Sequence, residues 1–287
     1  MLTPRDIQII ASFAHYYTLT RAQINRLHFP DDEDGRITRK RLQVLLEARL
    51  IQRTHMQVVN PSQGMPAPVY FPTREGCAFL AQETGDDRYL RACCYAPNWQ
   101  SLYHWVEVAE THWLLDQSAK QCDGVSVVEW YGEWSVVNAD ERLPEKRYRL
   151  YTRFNDKLVC VPDAAFLVEK SGHRKVFYLE QDRDTTKNAD RVAAQKHAGY
   201  AKLAELKGHL RHFPAATLGD FTVLMIAPTV RRRDALRKAS AEKAGAALWK
   251  FASQMDLSAV TFLTGNVWQS CEGEVTPLLR TVGGSAT

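Results

Sequence analysis

Apolar positions recur at helical spacing through the first third of the chain and mainly at strand spacing in the remainder. Thr3 is placed to cap a helix with Pro4 at its first position, and Ile7, Ile10, Ala14 and Tyr17 fall on one face. Thr20 opens a second, short helix carrying Ile24 and Leu27, which Phe29-Pro30 stops. After the acidic loop Asp31–Gly35, a third helix starts near Arg36 and turns Ile37, Leu42, Leu45 and Leu46 inward. Leu50–Arg53 continues as a strand, Asn60–Pro68 holds too much proline and glycine for regular structure, and Val69–Pro72 returns as the strand's partner. A helix over Arg74–Ala81 closes this domain, residues 1–84, and 85–100 form a linker.

The second domain, 101–287, opens with a long helix from about Ser101 to Ser118 and a strand over Val125–Trp130. Arg147–Phe154 reads as a strand pairing with the next one, Val161–Val168, which begins at a Pro-Asp corner. After the Ser171-Gly172 turn, Lys175–Asp182 alternates so that Tyr178, Glu180 and Asp182 share a face. The helix that follows places Val192, Lys196, Gly199/Tyr200 and Leu203 on its inward stripe. Phe221–Ala227 reads as a buried strand, Ala235–Met255 as a covering helix and Ala259–Leu263 as a last strand. The pattern predicts a mixed α/β fold, a sandwich rather than a barrel.

Composition narrows the class. The 287 residues are 45% hydrophobic, enough for real cores, and no apolar run reaches membrane-spanning length. The chain enters a helix at once without a signal-peptide pattern, so a cytoplasmic protein without membrane insertion is expected. The six cysteines show no C-x-x-C spacing, which argues for reduced thiols over zinc. Nine histidines without H-x-H spacing, and the lack of a G-x-x-x-x-G-K-[ST] loop, leave tyrosine-relaxase and ATP-dependent chemistry without a signal.

Charge is mildly basic overall, +4, but unevenly spread. Arg36 to Arg53 carries six Lys/Arg against one acid, and Arg183 to Lys250 carries fourteen against six. A basic helix start before a hairpin is what phosphate and base-edge contacts in a major groove require. Three helices followed by a two-stranded wing resemble the winged helix-turn-helix, which assigns DNA contact to Arg36, Thr38, Arg39, Lys40, Arg41 and Arg53. A solvated basic helix is the bland alternative. Arg231-Arg232-Arg233 reads either as a phosphate grip or as a solvated loop.

Asp163 at a strand mouth, Glu180 and Asp182 on the next strand and Lys196 inside a helical stripe form the candidate chemistry. Carboxylates hold a hard divalent cation, Mg²⁺ or Mn²⁺, and an ammonium neutralises charge developing on a phosphate. Taken singly, each feature also has a bland reading: a turn, a solvated strand end, a snorkelling lysine. Pro162-Asp163-Ala164, Leu179-Glu180-Gln181-Asp182-Arg183 and the downstream Lys196-x-x-x-Tyr200 together resemble the PD-(D/E)xK nuclease superfamily with its restriction-endonuclease-like fold. More narrowly, they resemble the replication-relaxation family, related to plasmid mobilisation relaxases of the MobC class.

The resemblance implies a metal-dependent DNA endonuclease or nicking relaxase acting at a plasmid or mobile-element origin in mobilisation, conjugation or replication. Asp163, Glu180 and Asp182 would hold the metal, and double-stranded DNA and other mobilisation or replication proteins would be partners, with room for a homodimer. The superfamily expects lysine two residues after the glutamate, where this chain has Asp182, so Lys196 would supply the ammonium from the helix. The superfamily's acid from the first helix would be Glu110, for which an ordinary boundary charge is the competing reading. The rivals are a non-catalytic origin-binding or transcriptional regulator that kept the nuclease fold, and a protein-interaction adaptor.

Overall fold

A computed structural model describes residues 2–58 and 66–279. The chain is mixed α/β and divides into two compact units, Met1–Trp113 and Leu114–Thr287. No helix among the described residues is long and apolar enough to cross a membrane. The Asn60–Pro68 stretch expected to be irregular lies mostly outside the described residues.

The N-terminal unit contains α1 (Pro4–Tyr16), β1 (Leu19–Thr20), α2 (Arg21–His28), α3 (Arg36–Glu47), β2 (Ile51–His55), β3 (Pro68–Pro72) and α4 (Arg74–Thr84). It also takes in the first part of α5 (Leu102–Lys120), a helix the periodicity assigns wholly to the second domain. Its strands form an antiparallel sheet in the order β1-β3-β2. Ile9, Ile10, Phe13, Ile24, Leu42, Leu45 and Leu80 make the core.

The buried face of α1 is Asp6, Ile9, Ile10, Phe13 and Tyr16, one residue off the expected Ile7/Ala14 stripe. Asp6 belongs on that face because its carboxylate is fully answered. It accepts from the Thr3 N–H at 2.6 Å, the Thr3 hydroxyl at 2.8 Å and Arg41 Nε at 2.8 Å, and Arg41 Nη2 also pairs with it. Burial opposes the Asp6 charge, but Arg41 and Thr3 outweigh it and hold the carboxyl below its ordinary value.

Helix α3 starts after Gly35, whose φ of 65° suits glycine. Asp32, from the acidic loop, is buried and caps it, accepting from the Thr38 N–H and hydroxyl, both at 2.8 Å, and from the Ile37 N–H at 3.2 Å. Ile37 itself is 52% exposed, so it does not turn inward as its apolar character suggests.

The C-terminal unit runs through β4 (Val125–Gly132), α6 (Pro144–Arg147), β5 (Thr152–Arg153), β6 (Val159–Cys160), β7 (Ala164–Lys170), β8 (His173–Gln181) and α7 (Ala189–Glu205). It continues with α8 (His209–His212), β9 (Phe221–Ala227), α9 (Val230–Ser240), β10 (Trp249–Ser253), α10 (Thr261–Thr264), β11 (Trp268–Gln269) and β12 (Val275–Thr276). Seven strands form one sheet in the order β12-β11-β10-β9-β8-β7-β4, antiparallel through β4-β7-β8 and parallel through β8-β9-β10. Ser171 and Gly172, both at positive φ, make the β7–β8 turn.

Three expected elements differ. Only Thr152–Arg153 of Arg147–Phe154 is strand, and it pairs with β6; β7 is flanked by β4 and β8. Leu150 and Thr152 are buried and Phe154 packs against the same core, but the charged Arg147, Arg149 and Arg153 together leave only a two-residue pairing with β6. The helix read over Ala235–Met255 stops at Ser240, Gly245 turns at φ 73°, and Trp249 and Phe251 enter the core as β10, parallel to β9. Ala259–Leu263, read as a strand, contains the helical turn α10, entered where Ser258 Oγ accepts the Thr261 N–H at 3.2 Å.

Removing one partner of a buried pair leaves an uncompensated charge. Arg41→Met is therefore expected to lower stability at pH 7 by about 3–5 kcal/mol, most of it as coupling to Asp6. Urea melts of Arg41→Met, Asp6→Asn and the double variant measure this; a loss in the range of ordinary surface changes, ~0.5 kcal/mol, would show the pair is not structural.

Candidate functional site at the mouth of β7 and β8

Asp163 extends the β7–β8 ladder by one residue: its N–H donates to Leu179 O at 3.1 Å and its carbonyl accepts from the Glu133 N–H at 2.9 Å. Its side chain is steered by the backbone of the neighbouring strand, since Oδ2 accepts the Gln181 N–H at 2.7 Å. Glu180 sits on β8 between β7 and β9, its side chain 3% exposed. Helix α7, capped by Asn188 Oδ1 accepting the Arg191 N–H, crosses this mouth. Gly199 permits the approach: a Cβ there would meet the Val159 carbonyl oxygen at 2.7 Å.

Two α7 residues one turn apart then reach Glu180. Lys196 Nζ lies 2.6 Å from Glu180 Oε2 and 3.9 Å from Asp163 Oδ1, and donates to the Val161 carbonyl at 3.4 Å. The Tyr200 hydroxyl donates to Glu180 Oε1 at 2.6 Å, fully buried. Lys196 keeps 34% of its side chain exposed, beside a cleft of about 160 Å³ lined by Val159, Cys160, Val161, Gln195 and Tyr200.

Burial pushes the Glu180 carboxyl up to about 7, against the charge of Lys196, and the nearby Asp163 charge adds to the rise. For Lys196 burial works the other way, but the Glu180 and Asp163 charges prevail and hold the ammonium above its ordinary pKa. The result is a charged lysine between two acids. Two carboxylates and a backbone carbonyl converging on one point fit a hard, oxygen-ligated cation better than a thiophilic one.

The remaining expected residues separate from this group. Asp182 lies past the end of β8, its N–H donating to Ile226 O at 2.8 Å, and its carboxylate is held by Arg232, Nε at 2.8 Å and Nη2 at 3.0 Å. Period-two alternation fails there because the strand ends at Gln181. Asp182 is thus an anchor for α9 rather than a third acid of the mouth. Arg233 likewise pairs with Asp234 and Asp256, which leaves Arg231 as the exposed member of the triplet read as a phosphate grip.

Glu110 belongs to the N-terminal unit, where Arg26 Nη2 at 2.7 Å and Gln23 Nε2 at 3.0 Å donate to it. Of the six residues assigned to DNA, Arg36, Arg39, Lys40 and Arg53 are exposed. Thr38 is buried in the Asp32 cap and Arg41 is committed to Asp6, so neither is presented outward. The sequence places Tyr200 on the inward stripe and in the Lys196-x-x-x-Tyr200 motif but assigns it no contact with Glu180, and it assigns nothing to the Val161 carbonyl. Tyr200 carried a usable signal, its i, i+4 spacing from Lys196; a backbone carbonyl carries none.

Fold and site together define a mixed α/β protein with a helical N-terminal unit and an acid–lysine–tyrosine cluster at a strand mouth. The sequence model described as replication-relaxation matches residues 11–214, and the chain belongs to that family. That description points to replication or mobilisation. No curated protein and no solved structure matches the chain.

Two outcomes follow from the cluster. Tyr200→Phe removes the donor of a buried carboxylate oxygen and is expected to cost about 1–3 kcal/mol in metal-free urea melts; an unchanged midpoint would show that the bond contributes nothing. The second concerns pH. The folded-state pKa of Glu180 is raised, so its contribution to stability is complete below the ordinary glutamate value and is lost as pH rises through about 7. Metal-free wild type should therefore lose stability relative to Glu180→Gln between pH 5 and 8, with Lys196 charged throughout. A flat difference across that window would place the Glu180 pKa outside it.

Proposed function

We propose that this protein is a divalent-metal-dependent DNA endonuclease or nickase, acting at a plasmid or mobile-element origin. The observation that carries this reading is the Lys196 ammonium between Glu180 and Asp163, delivered from α7. It supplies, from a helix, the charge that the superfamily pattern places where this chain has Asp182. Asp163, Glu180 and the Val161 carbonyl would hold Mg²⁺ or Mn²⁺. Such a cation polarises a phosphate and lowers the pKa of its water. Asp163 and Glu180 are oriented by the Gln181 N–H and by Tyr200, and Lys196 neutralises charge that develops on the phosphate oxygens.

DNA as the ligand is supported by the exposed Arg36, Arg39, Lys40 and Arg53 on α3 and β2, in an order of helices and hairpin resembling a winged helix-turn-helix. Family membership supports a role in replication or mobilisation. The rival reading, an origin-binding regulator without cleavage, draws on Asp182, which stands at the lysine position and is spent on Arg232.

Incubation with supercoiled DNA carrying the element's own origin, with Mg²⁺ or Mn²⁺ and an EDTA control, separates the two. Asp163→Asn and Lys196→Met are expected to abolish nicking while retaining DNA affinity. Origin binding without nicking by the wild type would favour the regulator. In salt titrations, Arg39→Ala with Lys40→Ala should weaken binding and reduce the log–log salt slope by about 1 per lost phosphate contact. An unaltered slope would remove α3 from the DNA interface.

A further inference from the structure

The hydrogen bonds that fix the two carboxylates also decide which oxygens they turn toward Lys196. Tyr200 takes Glu180 Oε1 and the Gln181 N–H takes Asp163 Oδ2. Glu180 Oε2 and Asp163 Oδ1 lie on the Lys196 side, 2.6 and 3.9 Å from Nζ, with the Val161 carbonyl at 3.4 Å. Two carboxylate oxygens and one carbonyl around a single positive point charge are the donor set of a hard cation, here gathered around an ammonium.

We propose that Lys196 and the divalent cation compete for these same three oxygens, so that cation binding drives the ammonium outward into the adjoining cleft. The inference rests on the metal-dependent reading of the site. A lysine and a dication within about 4 Å of one another repel strongly where burial limits screening, so they do not share the oxygens. The lysine has somewhere to go: its flexible stem is part-exposed beside the cleft lined by Val159 and Gln195. While it stays in, it balances acids that would otherwise repel each other. Once displaced, it faces the side from which a phosphate would approach. Metal occupancy would thus set the position of the ammonium.

The test is calorimetric titration of MnCl₂ into metal-stripped wild type, Lys196→Met and Asp163→Asn at fixed ionic strength. Lys196→Met keeps the stem and deletes the competitor, and should bind Mn²⁺ at least about tenfold more tightly than wild type, while Asp163→Asn binds more weakly. Binding by Lys196→Met alone would support the proposal equally. Equal or weaker Mn²⁺ binding by Lys196→Met, with wild type binding normally, overturns the competition and leaves the metal-dependent reading standing. Absence of Mn²⁺ binding in both, or binding that Asp163→Asn does not weaken, overturns both. A second measurement uses wild type only, in case the variant does not fold: acetylation of Lys196, followed by mass spectrometry, should accelerate several-fold at saturating Mg²⁺ while the exposed Lys207 is unaffected. Unchanged labelling of Lys196 would likewise overturn it.

Discussion

A carboxylate inside a sheet is tolerated only where its charge is answered, and in the C-terminal unit Glu180 imposes that condition. With desolvation of an ion costing several kcal/mol, both of its oxygens need strong partners. Both come from one helix, Lys196 at Oε2 and Tyr200 at Oε1, spaced i, i+4 so that they point the same way. The requirement therefore fixes the rotation of α7 about its axis as well as its distance from the sheet. Gly199, between the two, is the contact point, where the absence of a Cβ lets the helix lie against the Val159–Cys160 backbone. The same backbone leads through Val161 and Pro162 into Asp163, so one close contact holds the helix and the second acid together.

Just past the end of β8 a different cation takes over. Arg232, 6% exposed, grips both oxygens of Asp182 and also donates to the carbonyls of Thr186 and Lys187. A planar guanidinium with several donors can tie a carboxylate to a loop in this way, whereas an ammonium on a four-carbon stem cannot. The loop it ties leads into α7. Arg232 thus sets where α7 begins, and Glu180 sets how it is turned. Arg41 does for α1 and α3 what Arg232 does here, which is why both arginines are lost to any ligand.

Much of this was legible in the amino-acid order, and the failures share a cause. Helix starts were readable because Thr3, Thr20 and Thr73 are caps with local partners, and β7 and β8 because their runs are apolar and end in turn residues. Asp163, Glu180 and Lys196 were readable as a group because strand mouth, strand and helix stripe each follow from short-range periodicity. Asp182 and Arg41 were misjudged because their partners, Arg232 and Asp6, lie far away in sequence, and nothing local distinguishes a charge that will be paired from one that will be presented. Thr38 failed for the same reason at shorter range: Asp32 claims its hydroxyl. The strand β10 was hidden because Trp249 and Phe251 gain their burial only beside β9, while the alanines before them carry a helical signal.

A positive charge carried by a helix is placed differently from one carried by the strand that bears the acid. A lysine two residues beyond Glu180 would project from the strand that carries the acid, and its reach would be set by that strand alone. Lys196 instead shares its helix with Tyr200 and its contact surface with β6 and the Val161 carbonyl. Its ammonium is therefore placed by how α7 docks, and any shift of the helix acts on both oxygens of Glu180 together. Two residues past Glu180, beyond the strand's end, Asp182 anchors the start of the same helix through Arg232. Asp182 thus helps to place Lys196 through Arg232 and the start of α7, and a lysine at position 182 would remove that anchor.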